Sequence, residues 1–206
     1  MIDPNDHIIS RSLFAGVVIG IGGFLFLSSQ HTLIGALLVS VCFLSCSILK
    51  LNIFTDKSGF LSESTDFRRL ILVLLLNVVA AFTFGLISRF LNSSIASVAD
   101  KCVSTILSTD YVACAINSLA VGFIMMLASE FRKEGSGNLL YIICVSGLLA
   151  IGCTNCVLDS FYYGASSIIY DNMWSLTSRL LVVILFNFMG CNLYNIFVNR
   201  SLIHRV

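Results

Sequence analysis

The chain has 206 residues, of which 57% are hydrophobic and 11% are charged, and its formal net charge is +1. Soluble domains carry about 25% charged residues, so this composition indicates an integral membrane protein surrounded by lipid. The balanced charge and the absence of a basic run predict no nucleic-acid partner. A single proline and the lack of any long polar tract leave no room for a separate soluble domain.

Apolar segments recur along the whole chain. A membrane-spanning helix needs roughly 20 apolar residues, and four segments reach that length: about 10–28, 66–90, 110–130 and 176–198. Two further segments, 33–51 and 138–152, are apolar but lead into the polar stretches "KLNIFTDKSGFLSES" and "GCTNCVLDSFYYG". We therefore predict an all-α membrane protein with six crossings, the second and fifth of them broken.

The basic residues are distributed unevenly between the two sides that these crossings define. The side of the membrane opposite the termini carries Arg89 and Lys101, and Arg179 lies near a membrane–water interface. Because cytoplasmic loops carry the excess of Lys and Arg, we expect both termini in the cytoplasm and a multi-pass protein of the inner (cell) membrane. The basic residues on the terminal side are Arg11, Arg68, Arg69, Arg132, Lys133, Arg200 and Arg205.

The second and fifth crossings occupy matching places in two three-helix halves. Three crossings is an odd number, so the halves, about 10–91 and 108–199, form inverted repeats within one domain, 1–206. Interrupted segments at matching positions of inverted halves indicate a transport site. Irregular backbone at membrane depth requires surrounding protein or a water-lined cavity. This pattern favours a channel or transporter over a structural bundle.

The chain has eight cysteines, most of them in apolar runs where a thiol acts as a small hydrophobic group. Cys153 and Cys156 form a C-x-x-C pair with the spacing of a thiol–disulfide centre. Such membrane enzymes need a second pair at the membrane face, for which Cys102 is the available partner. A membrane thiol–disulfide oxidoreductase therefore stays as an alternative.

The three histidines, His7, His31 and His204, lie in termini or a loop, so we predict no intramembrane metal site. The sequence contains no Gly-rich phosphate loop and no nucleophilic triad. We expect neither a cofactor nor an enzyme.

The two broken segments resemble the pore loops of the formate/nitrite transporter family. "NIFTDK" is similar to the family's Leu-Phe-Thr loop, with Phe54 and Thr55 on its motif positions. "GCTNCVLDSF" is similar to the family's Gly-Phe-Glu-His-Ser-x-x-Asn-Met-Phe, with Thr154 on the Glu, Asn155 on the His and Asp159 on the Asn. The chain thus has an amide where the family has its central imidazole.

Three further motifs extend the resemblance over about 12–198. Lys101 opens the fourth predicted helix and Asn117 follows, similar to the family's vestibule lysine and its Asn-Leu-Leu motif. "FNFMGCN" in the last helix is similar to Gly-Asn-x-x-Gly-Gly, with Asn187 on the Asn. "AGVVIGIGGFLF" resembles the family's first helix.

The resemblance implies an aquaporin-like fold and a homopentamer with one pore in each subunit. It implies a passive channel or transporter for small monovalent anions or their weak acids, of the formate, nitrite or hydrosulfide class. A structural relative that does not transport is the other alternative, because the half-helix after Thr55 is expected to be short.

The resemblance also implies roles for polar residues along the pathway. Lys101 would supply a cationic mouth on the extracytoplasmic side, or else snorkel from a helix end. Thr55 and Asn155 would be central hydrogen-bond donors, or else satisfy nearby backbone groups. Asn155 cannot exchange protons near neutral pH as a histidine does.

The family's apolar collars fall on Val39, Phe43, Phe54, Ala120 and Leu148, for which plain core packing is the alternative. Asp159 is an intramembrane carboxyl group and therefore a functional candidate. It would pair with Lys50, or be neutral and bonded to loop carbonyls, or face the pore and repel anions; the sequence leaves these three states open.

Overall fold

The structure, a computed structural model, describes residues 7–29, 31–59, 64–92, 94–133, 137–153, 155–194 and 196–197. Thr154, His204, Arg200 and Arg205, which the sequence analysis singled out, lie outside the described residues.

The described residues form nine helices and no strand. They are α1 (Ile8–Ser28), α2 (Thr32–Ile48), α3 (Phe54–Ser58), α4 (Ser64–Leu91), α5 (Ile95–Ser108), α6 (Tyr111–Lys133), α7 (Asn138–Ala150), α8 (Cys156–Ala165) and α9 (Ile169–Tyr194). The predicted all-helical class is confirmed.

Four of the helices, α1, α4, α6 and α9, are long and apolar enough to cross a membrane. Helices α2 and α7 are apolar but shorter. The predicted starts of α1, α4 and α6 agree with the structure to within two residues. Helix α9 begins at Ile169, earlier than the predicted residue 176. Its first turns contain the polar residues Asp171 and Asn172, so the apolar run used for the prediction starts only after them. The backbone of Asn172 also departs from helical geometry, at φ −126° and ψ 20°.

The long helices pack in two corresponding pairs, α1 against α4 and α6 against α9. Each pair approaches closely at a glycine. A Cβ atom on Gly16 would overlap the backbone carbonyl of Asn77, and one on Gly122 would overlap that of Asn187. Small residues at such crossings are what allow helix backbones to pack closely inside membranes.

Helices α2 and α7 pack against each other and end in the same way. The backbone N–H of Leu51 donates to Cys46 (2.8 Å), and that of Cys153 donates to Leu148 (3.0 Å). These are the outer hydrogen bonds of two Schellman motifs, in which the residue after the C-cap adopts a left-handed conformation. That residue is Lys50 (φ 54°) after α2 and Gly152 (φ 77°) after α7. Both turns direct the chain into a short helix, α3 or α8.

One sequence-based prediction about the helices is wrong in detail. Lys101 does not open the fourth predicted crossing, which corresponds to α6; it lies in the middle of the separate helix α5, and α6 begins only at Tyr111. Helix α5 is too short and too polar to cross the membrane. A new helix starts after it, because Asp110 caps α6 by accepting hydrogen bonds from the backbone N–H groups of Val112 and Ala113 (both 2.8 Å).

Candidate functional site

Asn155 is the N-cap residue of α8. Its side-chain carbonyl accepts hydrogen bonds from the backbone N–H groups of Val157 (3.1 Å) and Leu158 (3.4 Å). Capping an otherwise unpaired helix end in this way is what makes Asn favourable here. The residue is 3% exposed, and its Nδ2 group has no hydrogen-bond partner among the described residues. Because the amide oxygen is used in capping, the Nδ2 donor is buried without a hydrogen-bond partner among the described residues.

Asn187 holds the start of α8 from the neighbouring helix. Its Oδ1 atom accepts a hydrogen bond from the backbone N–H of Cys156 (3.2 Å), and its Nδ2 group donates to the carbonyl of Ser118 on α6 (2.8 Å). The residue is fully buried. Asn187, predicted to lie in the substrate pathway, thus joins α6, α8 and α9.

Asn77 does the same for α3. Its Oδ1 atom accepts from the backbone N–H of Phe54 (2.9 Å), and its Nδ2 group donates to the carbonyls of Ser12 (2.8 Å) and Asn52 (2.9 Å). The sequence analysis did not select Asn77. A polar amide inside the long apolar run 66–90 was the signal that would have identified it.

A narrow cavity lies beside Asn155. Its volume is about 10 Å³, at the lower limit for one water molecule. It brings together three predicted residues, Asn155, Phe43 and Leu148, which lie on different helices or loops. The complete lining is Phe43, Val121, Met125, Val145, Leu148, Leu149, Cys153 and Asn155.

The other predicted collar residues do not line this cavity. Val39 packs where α2 passes Gly22 of α1, and Phe54 is buried at the start of α3. Ala120 is half-buried, and its neighbour Val121 lines the cavity instead. Val121 and Met125 are one helical turn apart, so a stripe of apolar side chains on α6 was the signal for them.

A wider cavity of about 160 Å³ adjoins the narrow one and shares Leu149 and Cys153 with it. Asp159 lies in its wall, opposite residues of α5. The complete lining is Phe26, Cys102, Thr105, Ile106, Leu149, Gly152, Cys153, Leu158, Asp159 and Tyr162. The two cavities thus lie on either side of Leu149 and Cys153, the wide one beside α5 and the narrow one beside Asn155.

Asp159 is 3% exposed. Its Oδ2 atom is itself buried and has no hydrogen-bond partner among the described residues. The predicted pairing with Lys50 is wrong, since no ion pair joins these residues and Lys50 is exposed in the turn after α2. The carboxyl group thus lies in the cavity wall with one buried oxygen unpaired.

Thr55 is fully buried in α3. Its backbone carbonyl accepts hydrogen bonds from Ser58 Oγ (3.2 Å) and Cys191 Sγ (3.4 Å), but its own hydroxyl has no partner among the described residues. The alternative in which this hydroxyl caps its own backbone is therefore wrong. Helix α3 is half as long as α8, as expected from the polar sequence that follows it.

Lys101 and Asn117 lie outside the two cavities. Lys101 is exposed on α5, next to the lining residue Cys102, and Asn117 is half-buried on α6. Helix α5 is fixed near its middle and at its C-terminal end. The carboxylate of Asp100 accepts hydrogen bonds from Ser166 Oγ (2.6 Å) and from the backbone N–H of Ser167 (2.7 Å).

At the C-terminal end of α5, Arg179 on α9 donates hydrogen bonds to the carbonyls of Leu107 (2.8 Å) and Thr109. Its guanidinium carbon also lies 4.6 Å from the centre of the Tyr111 ring. The residue is 8% exposed. Sequence reasoning placed Arg179 only near an interface and missed this contact, which depends on residues about 70 positions away.

The two thiols of the C-x-x-C pair are free and differ in accessibility. Cys153 is half-buried in the wall of both cavities, whereas Cys156 is fully buried as the first residue of α8. The described residues contain no group of three or more metal-ligating side chains. This arrangement does not favour a redox centre, which needs an accessible attacking thiol.

No family model matches the sequence, and no curated protein matches it. Two solved structures have the same fold. "Pentameric formate channel with formate bound" superposes with a TM-score of 0.82 at 16% identity, covering 96% of each chain. "FNT family ion channel" superposes with a TM-score of 0.78 at 17% identity, covering 97% of this chain and 90% of that one. The chain therefore has the all-helical fold of these channels, in agreement with the resemblance of its motifs.

Proposed function

We propose that the chain is a passive channel for small monovalent anions or their weak acids, of the formate, nitrite or hydrosulfide class. The observation that carries this proposal is the unpaired donor of Asn155, a buried amide in the wall of a narrow cavity. A small anion or acid offers oxygen or sulfur acceptors that would satisfy this donor. The shared fold with a formate channel supports the same substrate class.

The proposed pathway leads from the wide cavity past Asp159 to the narrow cavity and Asn155, and continues towards Thr55. Phe43 and Leu148 form its apolar constriction. Asn77 and Asn187 position the two short helices, and Lys101 attracts anions to the α5 side. The hydroxyl of Thr55 supplies a second buried donor without a partner among the described residues.

In this proposal, α2 with α3 and α7 with α8 are two interrupted crossings, which together with the four long helices give six. The repeats, about 10–91 and 108–199, are inverted and form one domain. The matching Schellman motifs after α2 and α7, and the matching amides of Asn77 and Asn187, support this internal symmetry.

We further propose a homopentamer in the inner membrane, with both termini in the cytoplasm. Long helices of the chain expose large apolar side chains along their length, including Leu75 and Val79 on α4 and Leu181 and Leu185 on α9. Such faces require lipid or another subunit. One of the two channels that share this fold is pentameric, which supports the same assembly here.

Flux through proteoliposomes tests the function. Purified protein is reconstituted, and the movement of formate, nitrite and hydrosulfide is followed across a pH gradient, with protein-free vesicles as the background. We expect flux of at least one of these solutes, and a fall to background in Asn155→Leu, whose side chain fills the narrow cavity. If none of the three moves above background, the chain is a relative that does not transport.

A further inference from the structure

We propose that Asp159 determines the charge selectivity of the pathway, so that the wide cavity rejects anions while the carboxylate is ionised and admits them as neutral acids. The inference rests on the proposed function and refines its substrate. The proposed pathway conducts anions, yet the described wall of its widest part contains a carboxyl group and no cation. This combination requires an explanation.

The geometry makes Asp159 part of the cavity rather than of the core around it. The side chain is 3% exposed, lines the 160 Å³ cavity, and has an Oδ2 atom without a partner among the described residues. A core carboxyl group of this depth would normally have both oxygens hydrogen-bonded. The carboxyl group is therefore buried beside the cavity with one oxygen unpaired, and its charge acts on what enters there.

Nothing in the described surroundings neutralises this carboxyl group. Arg179 on α9 is engaged by the carbonyls of Leu107 and Thr109, and Arg89 on α4 lies beside Ser167 (3.5 Å), beyond the end of α8. The titratable groups within electrostatic reach of Asp159 are thiols and phenols, which carry no positive charge that could neutralise it: Cys102, Cys114, Cys156, Tyr162 and Tyr163.

The ionised state of Asp159 determines which form of the solute can enter the cavity. An unpaired buried carboxylate is costly in itself, and a second negative charge in the same cavity raises that cost further. An incoming weak acid in its neutral form avoids this repulsion, and the carboxyl oxygen accepts its acidic proton in a hydrogen bond. The amide of Asn155 then meets a neutral solute whose carbonyl oxygen accepts from Nδ2.

Charge-selective labelling of Cys153 tests the potential in the cavity without requiring transport. The full-length protein is treated with a cationic and an anionic methanethiosulfonate of similar size, and Cys153 modification is quantified by peptide mass spectrometry. The ratio of the two rates cancels any change in thiolate fraction. In Asp159→Asn we expect the cationic-to-anionic ratio to fall about tenfold, because each rate changes by roughly threefold in opposite directions.

Two further variants make the result specific. Asp159→Glu keeps the charge and is expected to keep the wild-type ratio. Asp110→Asn removes an equal charge from the N-cap of α6, outside the cavity, and keeps a capping side chain, so its ratio is also expected to be unchanged. An unchanged ratio in Asp159→Asn, or an equal fall in Asp110→Asn, would overturn the proposal.

Flux then separates this inference from the proposed function. Wild-type formate flux is expected to fall between about pH 6 and about pH 8 with the fraction of neutral acid, and Asp159→Asn to raise flux at the higher pH severalfold. Wild-type flux that persists at high pH and does not change in Asp159→Asn contradicts the inference but leaves the channel intact. Absence of flux in both proteins, with a tenfold change in labelling ratio, contradicts the proposed function alone.

Discussion

Asn77 on α4 and Asn187 on α9 make matching hydrogen bonds to the first residues of the short helices α3 and α8. Each amide lies on the last long helix of its half, accepts a hydrogen bond from the first backbone N–H of a short helix, and donates to a carbonyl on the first long helix. Two buried amides thus position the two short helices that border the proposed pathway.

Replacement of Asn187 by Leu leaves the Cys156 N–H buried without an acceptor and removes a donor from the Ser118 carbonyl. We expect the free energy of unfolding to fall by at least about 2 kcal/mol, since each buried group left unpaired costs about 1–3 kcal/mol. Chemical unfolding in detergent micelles measures it. Asn138→Leu, an exposed change at the start of α7, is the control. Equal unfolding midpoints for Asn187→Leu and wild type would refute the role of the amide.

Lys50 has a left-handed backbone where the matching residue of the other half is Gly152. The left-handed conformation costs a residue with a Cβ about 1–2 kcal/mol, so Lys50→Gly is expected to stabilise the protein by about 1 kcal/mol and Gly152→Ala to destabilise it by a similar amount. Thermal unfolding of both variants measures this. Lys57→Gly, in the helix α3, is the matched control and should destabilise. A destabilised Lys50→Gly would contradict the assignment of the turn.

The variant Asn155→Asp distinguishes the two roles of the Asn155 amide, helix capping by its oxygen and hydrogen-bond donation by its nitrogen. One carboxylate oxygen can still accept hydrogen bonds from the N–H groups of Val157 and Leu158. The other oxygen, an acceptor, takes the place of the buried Nδ2 donor. We expect the formate flux near neutral pH to fall about tenfold or more, since a hydrogen bond to a charged group contributes about 1.5–3 kcal/mol. The free energy of unfolding is also expected to fall, because the new carboxyl group is buried one helical turn from Asp159. Vesicle flux and thermal unfolding are compared in one preparation. Undiminished flux would show that the amide donor is not used.

Arg179→Lys keeps the charge but cannot serve both carbonyls at the end of α5. We expect amide hydrogens of residues 102–109 to exchange at least about tenfold faster, because a planar guanidinium forms paired hydrogen bonds that an ammonium cannot reproduce. Hydrogen–deuterium exchange with mass spectrometry reads this segment directly. Arg89→Lys, whose contact with Ser167 is long, is the control. Unaltered exchange in Arg179→Lys would mean that α5 is held without it.

The double variant Cys153→Ser/Cys156→Ser tests the alternative of a thiol–disulfide oxidoreductase. Because Cys156 is fully buried, we expect the variant to retain at least about half of the wild-type flux and neither protein to oxidise a model dithiol. Dithiol oxidation by the wild type that the double variant loses would revive the redox alternative.

The sequence by itself determined the class of protein and most of its long helices. An apolar run long enough to cross a bilayer is a local property, so α1, α4 and α6 were predicted to within a few residues. The two interruptions were also visible, because polar and glycine residues inside apolar runs mark them. The fold followed from the order of degenerate motifs, each of which is weak alone.

The tertiary structure alone decided what each polar side chain faces. The oxygen of Asn155 is used in capping and its nitrogen is not, Asp159 lies in a cavity wall without an ion pair among the described residues, and Arg179 reaches the end of α5. Each outcome depends on the packing of helices far apart in sequence, which sets the hydrogen-bond partners of a buried group. The hydropathy of the sequence shows that such a group is unfavourable to bury. Only the packed structure shows which hydrogen-bond partners compensate for its burial.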